Sequence, residues 1–524
     1  MENKEEDIVI VGAGIAGLTT ALGLHRLGLR SLVLESSDSL RVTGFALTLW
    51  TNAWRAMDAV GIGNSLRQHY PQIPGFRLFS SVSGVTSDIS PDVEGKDKGY
   101  ESRCVLRKEL LETLGGELPH GTIRYSSKVV SIENSGYHKL LHLADDSTLK
   151  TKVLIGCDGV NSVVAKWLGL QNPVDSGRSG IRGFVEFPDG HGFQPRFHWY
   201  FGGGVRYGFL PCDDKCMNWF CTFKSSVQHD DGMGQNPAKM KQFVLSKISK
   251  VPQKSASVVE MTELDSISCS PLKLRLPWNL VLGNISKGNV CVAGDALHPM
   301  TPDIGQGGCA ALEDSVVLAR CIAEALLRKP RKEEIANEEK ISKGEEEHER
   351  IKKGLEKFAK ERRRRSFRLV SAGYLVGLLQ ESDWKVMRPK DSPCLSILIH
   401  SFLEDDTAIG GELSDYESDS KRDLSMPDPM DVIEELVNQS VTIKADSIGN
   451  SLSTHVSNAM ATFKFSFVKP NKSVLYLSAA VTSSNRQTRP GGLLETGISG
   501  SGDCGGGDGC DERGRRVQVV EKGM

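Results

Sequence analysis

The sequence predicts an α/β fold: a parallel-sheet domain, interrupted by an inserted antiparallel-sheet domain and followed by C-terminal helices and a disordered tail. Three observations predict it. An apolar run at 8–11 leads through Gly12-Ala13-Gly14-Ile15-Ala16-Gly17 into a helical pattern over 18–27, and a second apolar run follows at 31–34, which makes a βαβ unit. Residues 181–223 alternate apolar and polar side chains among Gly and Pro, the mark of antiparallel strands. A third apolar run, 289–293, ends in Gly294-Asp295 and a glycine-bearing loop before a helix over 310–327.

The 524 residues suffice for about three folded units. Lys plus Arg number 64 against 66 Asp plus Glu, so a net charge of −2 leaves no electrostatic footprint for nucleic acid or acidic membrane, and a small-molecule partner is expected. Twelve cysteines without a CxxC pair point to reduced thiols rather than a disulfide framework. Cys212, Cys216 and Cys221 lack the second pair of ligands usual in a thiolate zinc site, so no metal is expected. The acidic first seven residues resemble no secretory signal, and no uncharged apolar run reaches the roughly 18 residues of a membrane span. A cytoplasmic protein is expected.

Each element follows in order from the residues. Runs 8–11 and 31–34 are apolar throughout, as parallel strands covered on both faces must be. Between them Gly12, Gly14 and Gly17 fit GxGxxG: the first allows the tight turn, the second lets a pyrophosphate approach the backbone, and the third lets helix and strand pack closely. Glu35 ends the second strand, placed to accept hydrogen bonds from ribose hydroxyls and to disfavour a 2′-phosphate. This Rossmann-type unit binds FAD or NAD. Residues 328–368 are dominated by charge, including Arg362-Arg363-Arg364-Arg365, and are expected to form a solvated helix. Beyond about 404 the composition turns to Ser, Asp and Gly, which cannot bury a core and predicts disorder.

Residues 290–308, VCVAGDALHPMTPDIGQGG, resemble the GD motif of FAD-dependent aromatic-ring hydroxylases, with GDAxH…PxxGQG intact. Residues 153–162, VLIGCDGVNS, resemble the DG motif of the same family, except that Ala165 stands at its usual arginine position with Lys166 next. The resemblance spans about 8–387 and is strongest to plant salicylate-hydroxylase-like monooxygenases, including 39–45 and Leu276-Pro277-Trp278. It implies non-covalent FAD held by Gly12, Gly14, Gly17, Glu35, Arg107, Asp158, Gly159, Asp295, Pro302, Gly305, Gln306 and Gly307. It also implies FAD-binding segments at 1–75, 100–170 and 281–330, an antiparallel-sheet substrate domain at 171–280, a helical region at 331–403 and a tail at 404–524.

The activity so implied is monooxygenation: NADH or NADPH reduces FAD, O₂ adds to give a flavin C4a-hydroperoxide, and one oxygen atom hydroxylates or epoxidises a small aromatic or isoprenoid substrate. No second strand-GxGxxG-helix exists, so the nicotinamide nucleotide is expected to bind without a domain of its own. No catalytic side chain is assigned. Arg182, His198 and Tyr207 on the antiparallel sheet are the substrate-contact candidates, Arg182 for a carboxylate and Tyr207 for a phenol. The alternatives are an FAD-dependent oxidase and a non-catalytic FAD- or small-molecule-binding regulator, the latter suggested by the altered DG motif.

Overall fold

The computed structural model describes residues 4–41, 44–80, 84–89, 100–202, 204–225, 234, 236–327 and 343–381, with strand segments at 441–444, 459–467, 474–483 and 494–499. Two units divide the chain near residue 420. The first is built on two large sheets, and each is explained by its apolar patterning.

Strands Val290–Val292, Thr148–Gly156, Lys4–Val11, Leu32–Leu34 and Ile123–Arg124 lie side by side in that order, every neighbouring pair parallel. Ile8, Val9, Ile10, Val33 and Val290–Val292 are almost wholly buried, because helices cover the sheet and β-branched side chains pack well on a pleated surface. Three further strands extend it antiparallel, to eight in all. Helix Ile15–Arg26 packs on helix Gly307–Leu327 at a crossing made of small residues: a Cβ on Gly23 would stand 2.9 Å from that of Ala319, and the Ser315 hydroxyl donates to Ala16 O at 2.9 Å.

The second sheet has seven strands, in the order Ile267–Leu274, Val174–Glu186, Cys216–Lys224, Val205–Pro211, Phe197–Gly202, Phe76–Ser80 and Thr86–Ile89. The last two come from a stretch that the sequence assigns to no domain, and Phe76–Ser80 joins Phe197–Gly202 in parallel. Gly202 and Gly204, with φ of 124° and 76°, belong to the tight connection between two of these strands. One face of the sheet is covered by helices Pro237–Lys247 and Gln253–Glu260, around Tyr200, Tyr207, Phe209 and Trp219. The other carries Phe197, Trp199, Leu210 and Phe220 against Ile304 of the glycine-bearing loop and Leu369, Ala372 and Val376 of the last long helix.

That helix, Lys343–Glu381, differs from the solvated element that its charge suggests. Arg362 is wholly buried and Arg365 nearly so, while Arg363 donates to the carbonyls of Val281 and Gly283 at 2.8 Å. Buried acids on Gly307–Leu327 draw the arginines inward, as charges removed from water must be paired.

In the second unit, Val441–Lys444, Ala459–Phe467, Val474–Ser483 and Leu494–Ser499 form a four-stranded antiparallel sheet. These segments lie within 404–524, where the sequence predicts disorder, and their local alternation (ATFKFSF, VLYL) is hidden by the Gly/Ser-rich average. The remainder of 404–524 lies outside the described residues.

Candidate cofactor and substrate site

The three glycines of the first turn do three different things. Gly12 has φ of 100°, and a Cβ there would meet Cys157 O at 2.5 Å, so the turn needs glycine for both conformation and space. A Cβ on Gly17 would lie 1.9 Å from Gly12 O, where strand and helix touch. Gly14 has an ordinary extended backbone, and nothing stands within 4 Å of where its Cβ would be. Its missing side chain serves no packing need of the protein and leaves the helix N-terminus bare, where backbone N–H groups favour an anion.

Glu35 is buried beside this turn. It accepts from the N–H of Ala13 and of Ser37, each at 2.9 Å, and pairs with Arg41 at 3.0 Å. Burial pushes its pKa up, but the two backbone donors and Arg41 outweigh this and hold the carboxyl below its ordinary value. It is thus an ionised acceptor fixed against the glycine turn.

Residues 294–306 approach from the third parallel strand. Asp295 is exposed although Ala293, Gly294, Ala296 and Leu297 around it are buried, so the loop pushes one carboxylate outward. Gly294 has φ of 61° and sits where a Cβ would stand 2.8 Å from that of Ala16. Arg107 opens a helix after strand Ser102–Leu106, and its buried Nε has no hydrogen-bond partner among the described residues. Burial lowers its pKa while Asp295 raises it. Gln306 is also buried, its Nε2 unpartnered while Oε1 accepts from Asn52 at 3.0 Å. Gly305 holds φ of 64° and accepts from the Trp50 indole at 3.1 Å; half-buried Pro302 and Gly307 flank this corner, Gly307 beginning a 21-residue helix.

A bare glycine turn, an ionised acid for hydroxyls, an outward carboxylate and two buried donors without acceptors together fit a dinucleotide. Asp158 sits differently from a ligand-facing acid: it accepts from the Ser162 hydroxyl at 2.5 Å and the Val163 N–H at 2.7 Å, so it shapes the loop that Gly159 begins with φ of 76°. Ala165, at the arginine position of the DG motif, is buried; Lys166 is exposed.

Of the three substrate-contact candidates, the structure brings only Arg182 to this side. Cross-strand pairing puts His198 with Phe209 and Tyr200 with Tyr207 on the helix-covered face. There Tyr207 donates to Ser255 O at 2.9 Å, while His198 stacks on Phe209 at 4.6 Å and burial lowers its pKa to about 4. Both are packing residues, because successive side chains along a strand point to opposite faces. Arg182 lies on the other face, pairs across the strands with Phe220, and makes no hydrogen bond or ion pair among the described residues. Burial lowers its pKa; it sits close enough to Arg107 and Asp295 for each to perturb it. Next to it Phe184 stacks on Phe45 at 6.2 Å.

Several residues that hold the site carry no motif. Arg275, buried, donates to Leu297 O at 2.8 Å and Ala296 O at 3.0 Å, fastening the loop behind Asp295. Asp303, also buried, is gripped by Arg178 at 2.7 and 2.9 Å and by Arg206 at 3.1 Å, which ties the loop to the antiparallel sheet. Burial raises its pKa, yet the two guanidinium groups more than compensate and lower it. Among the described residues no cluster of three or more His, Cys, Asp or Glu is arranged for a metal ion, and no helix is long and apolar enough to cross a membrane. Cys212 and Cys221 belong to opposite faces of the sheet.

The chain matches the family described as FAD binding domain over residues 5–339. It is 53% identical over 389 residues to "Monooxygenase 2" of Arabidopsis thaliana, covering 74% of this chain and 92% of that one. Two solved structures share the fold: Klebsiella pneumoniae HpxO complexed with FAD and uric acid, with TM-score 0.62, 20% identity and coverage of 76% of this chain and 97% of that one, and a salicylate hydroxylase substrate complex, with TM-score 0.59, 19% identity and coverage of 76% and 94%. Glycine turn, outward acid and unpartnered donors thus belong to a chain that is a member of the FAD-binding-domain family, of the FAD-dependent hydroxylase-type monooxygenases.

Proposed function

We propose that this protein uses NADH or NADPH and O₂ to hydroxylate, or epoxidise, a small aromatic or isoprenoid substrate that carries an acidic group. The observation that carries the substrate side of this reading is Arg182: a guanidinium on the loop-facing side of the sheet, without a partner among the described residues, beside an aromatic wall. A half-buried cation without an anion is partly desolvated at a cost, so a site that keeps one is complementary to an anionic ligand.

When bound, FAD supplies the electron transfer and oxygen activation that no side chain provides. The chain's own residues do the rest. Gly14, Glu35, Arg107 and Asp295 bind the cofactor, and Arg182 orients the substrate by pairing with its carboxylate or phenolate. Phe45, Phe184, Trp199 and Phe220 keep that region apolar, which limits the water that would divert activated oxygen to hydrogen peroxide.

The test is anaerobic mixing of the purified yellow protein with NADH or NADPH, alone and with phenolic, indolic and isoprenoid acids. Flavin bleaching accelerated by one class is the expected result. Replacing Arg182 with Met should weaken binding of an acidic substrate about ten- to a hundredfold, the range for losing a charge-assisted hydrogen bond, and leave a neutral analogue unaffected. A non-catalytic flavin-binding regulator is the second reading, favoured by Ala165 in the DG motif. Failure of either nucleotide to bleach the flavin with any compound would decide for it.

A further inference from the structure

We infer that Arg362, on the long helix that lies beyond the family match, is a positioning residue for FAD: a single buried guanidinium that holds both ends of the 294–306 loop. The inference rests on the flavin reading of that loop and extends it to an element which carries none of the three motifs.

Two chains of contacts lead from Arg362 to the loop. Its Nε donates to Asp314 Oδ1 at 2.6 Å, and the other oxygen of Asp314 accepts from the Gly294 N–H at 2.9 Å and from His298 Nε2 at 2.6 Å. Gly294 and His298 bracket Asp295. One carboxylate therefore has one oxygen committed to the helix and the other to the segment that presents the outward acid. Along the second chain, an Arg362 terminal nitrogen donates to Glu313 Oε2 at 2.7 Å, while Oε1 accepts from Asn52 and from Arg365 at 2.9 Å. The Asn52 amide also donates to Gln306 Oε1 at 3.0 Å, which leaves Gln306 Nε2 as the unpartnered donor at the other end of the loop.

Arg362, Asp314, Glu313, His298 and Gln306 are all buried, so no water substitutes for a lost member. Without Arg362, Glu313 would keep only Arg365 and Asp314 only His298 as a cationic partner. The least costly adjustment is for Asp314 and Glu313 to turn or to take up protons, and either releases Gly294, His298 or Asn52. The loop would then still be tethered by Arg275 and Trp50, which leaves the fold standing but Asp295 and Gln306 loosely aimed.

The experiment compares the full-length chain with Arg362→Met, Arg362→Lys and Asn52→Ala, reading FAD dissociation constants from flavin fluorescence and the visible absorption and circular dichroism of the bound flavin. Expected for Arg362→Met is a folded protein whose FAD affinity falls at least about tenfold, with an altered flavin spectrum. Arg362→Lys, which keeps the charge and one donor, should recover most of both. Asn52→Ala, which cuts only the Gln306 arm, should shift the spectrum with a severalfold loss of affinity. A folded Arg362→Met protein with FAD affinity within twofold of wild type overturns the inference. Should that variant fail to fold, an Asn52→Ala protein identical to wild type in affinity and spectrum overturns it. Wild-type protein that takes up no FAD would overturn the flavin reading itself, a different result from unchanged variant affinity.

Discussion

Gly14 and Gly17 are three residues apart in one motif, yet their neighbours assign them opposite consequences. A side chain at Gly14 would start with no protein atom within 4 Å of its Cβ and with an allowed backbone, so Gly14→Val should melt within a degree or two of the unliganded wild type while losing FAD by steric exclusion. Gly17→Ala drives a methyl into Gly12 O, and should cost about 1–3 kcal/mol of stability, as overpacking typically does, before any ligand is considered. Thermal melts of the FAD-stripped proteins and flavin titrations of the same samples separate the two. Equal loss of stability in both would refute the assignment of separate roles. The motif itself was legible because sterics fix glycine at Gly12 and Gly17 and a pyrophosphate's approach asks for it at Gly14; the roles of His198 and Tyr207 were not. Alternation along a strand says that two faces exist but not which one meets the cofactor, and only the seating of helices Pro237–Lys247 and Gln253–Glu260 decides that.

Helix Gly307–Leu327 and helix Lys343–Glu381 meet through charge as well as apolar packing. Burial pushes the Glu313 and Asp314 pKa values up, but Arg362 with Arg365, and His298 with Arg362, bring each down to about 2. Both carboxyls titrate higher when unfolded, so the stability they contribute is complete above about pH 4.5 and is lost as pH falls toward 2. Urea midpoints measured between pH 6 and pH 3 should fall steeply at the acid end, and the Glu313→Gln protein should show a shallower fall from a lower starting value. An identical slope in wild type and variant would remove Glu313 from the account. The helix register contained a sign of this: buried Ile351, Leu355, Phe358, Arg362, Arg365, Leu369, Ala372 and Val376 follow alternating steps of four and three, one continuous helix face. Charge density obscured that face, because four consecutive arginines read as solvated until the acids opposite them are known.

At the scale of the whole molecule, the three motif segments belong to the first unit, which ends near residue 419. A chain ending at Leu403 should therefore remain yellow and retain the flavin-reduction rate of the full-length protein, to within about twofold, because no motif residue is removed. Anaerobic stopped-flow reduction of both proteins checks this, and insoluble or colourless truncated protein would mean that residues beyond 403 are needed for the first unit's stability.

The sequence by itself determined the parallel sheet, the glycine turn and Glu35, because each follows from local sterics or from apolar runs that only a doubly covered strand accepts, while Asp295 was legible through the resemblance of its segment to the GD motif. Only the tertiary structure decided that strands 76–80 and 86–89 complete the second sheet, that Arg182 rather than His198 or Tyr207 faces the loop, and that Arg178, Arg206, Arg275 and Arg362 turn inward to hold it. Such long-range ion pairs have no local signature. An arginine is buried only when a carboxylate or a set of carbonyls distant in sequence awaits it, and that partnership exists only once the chain has folded.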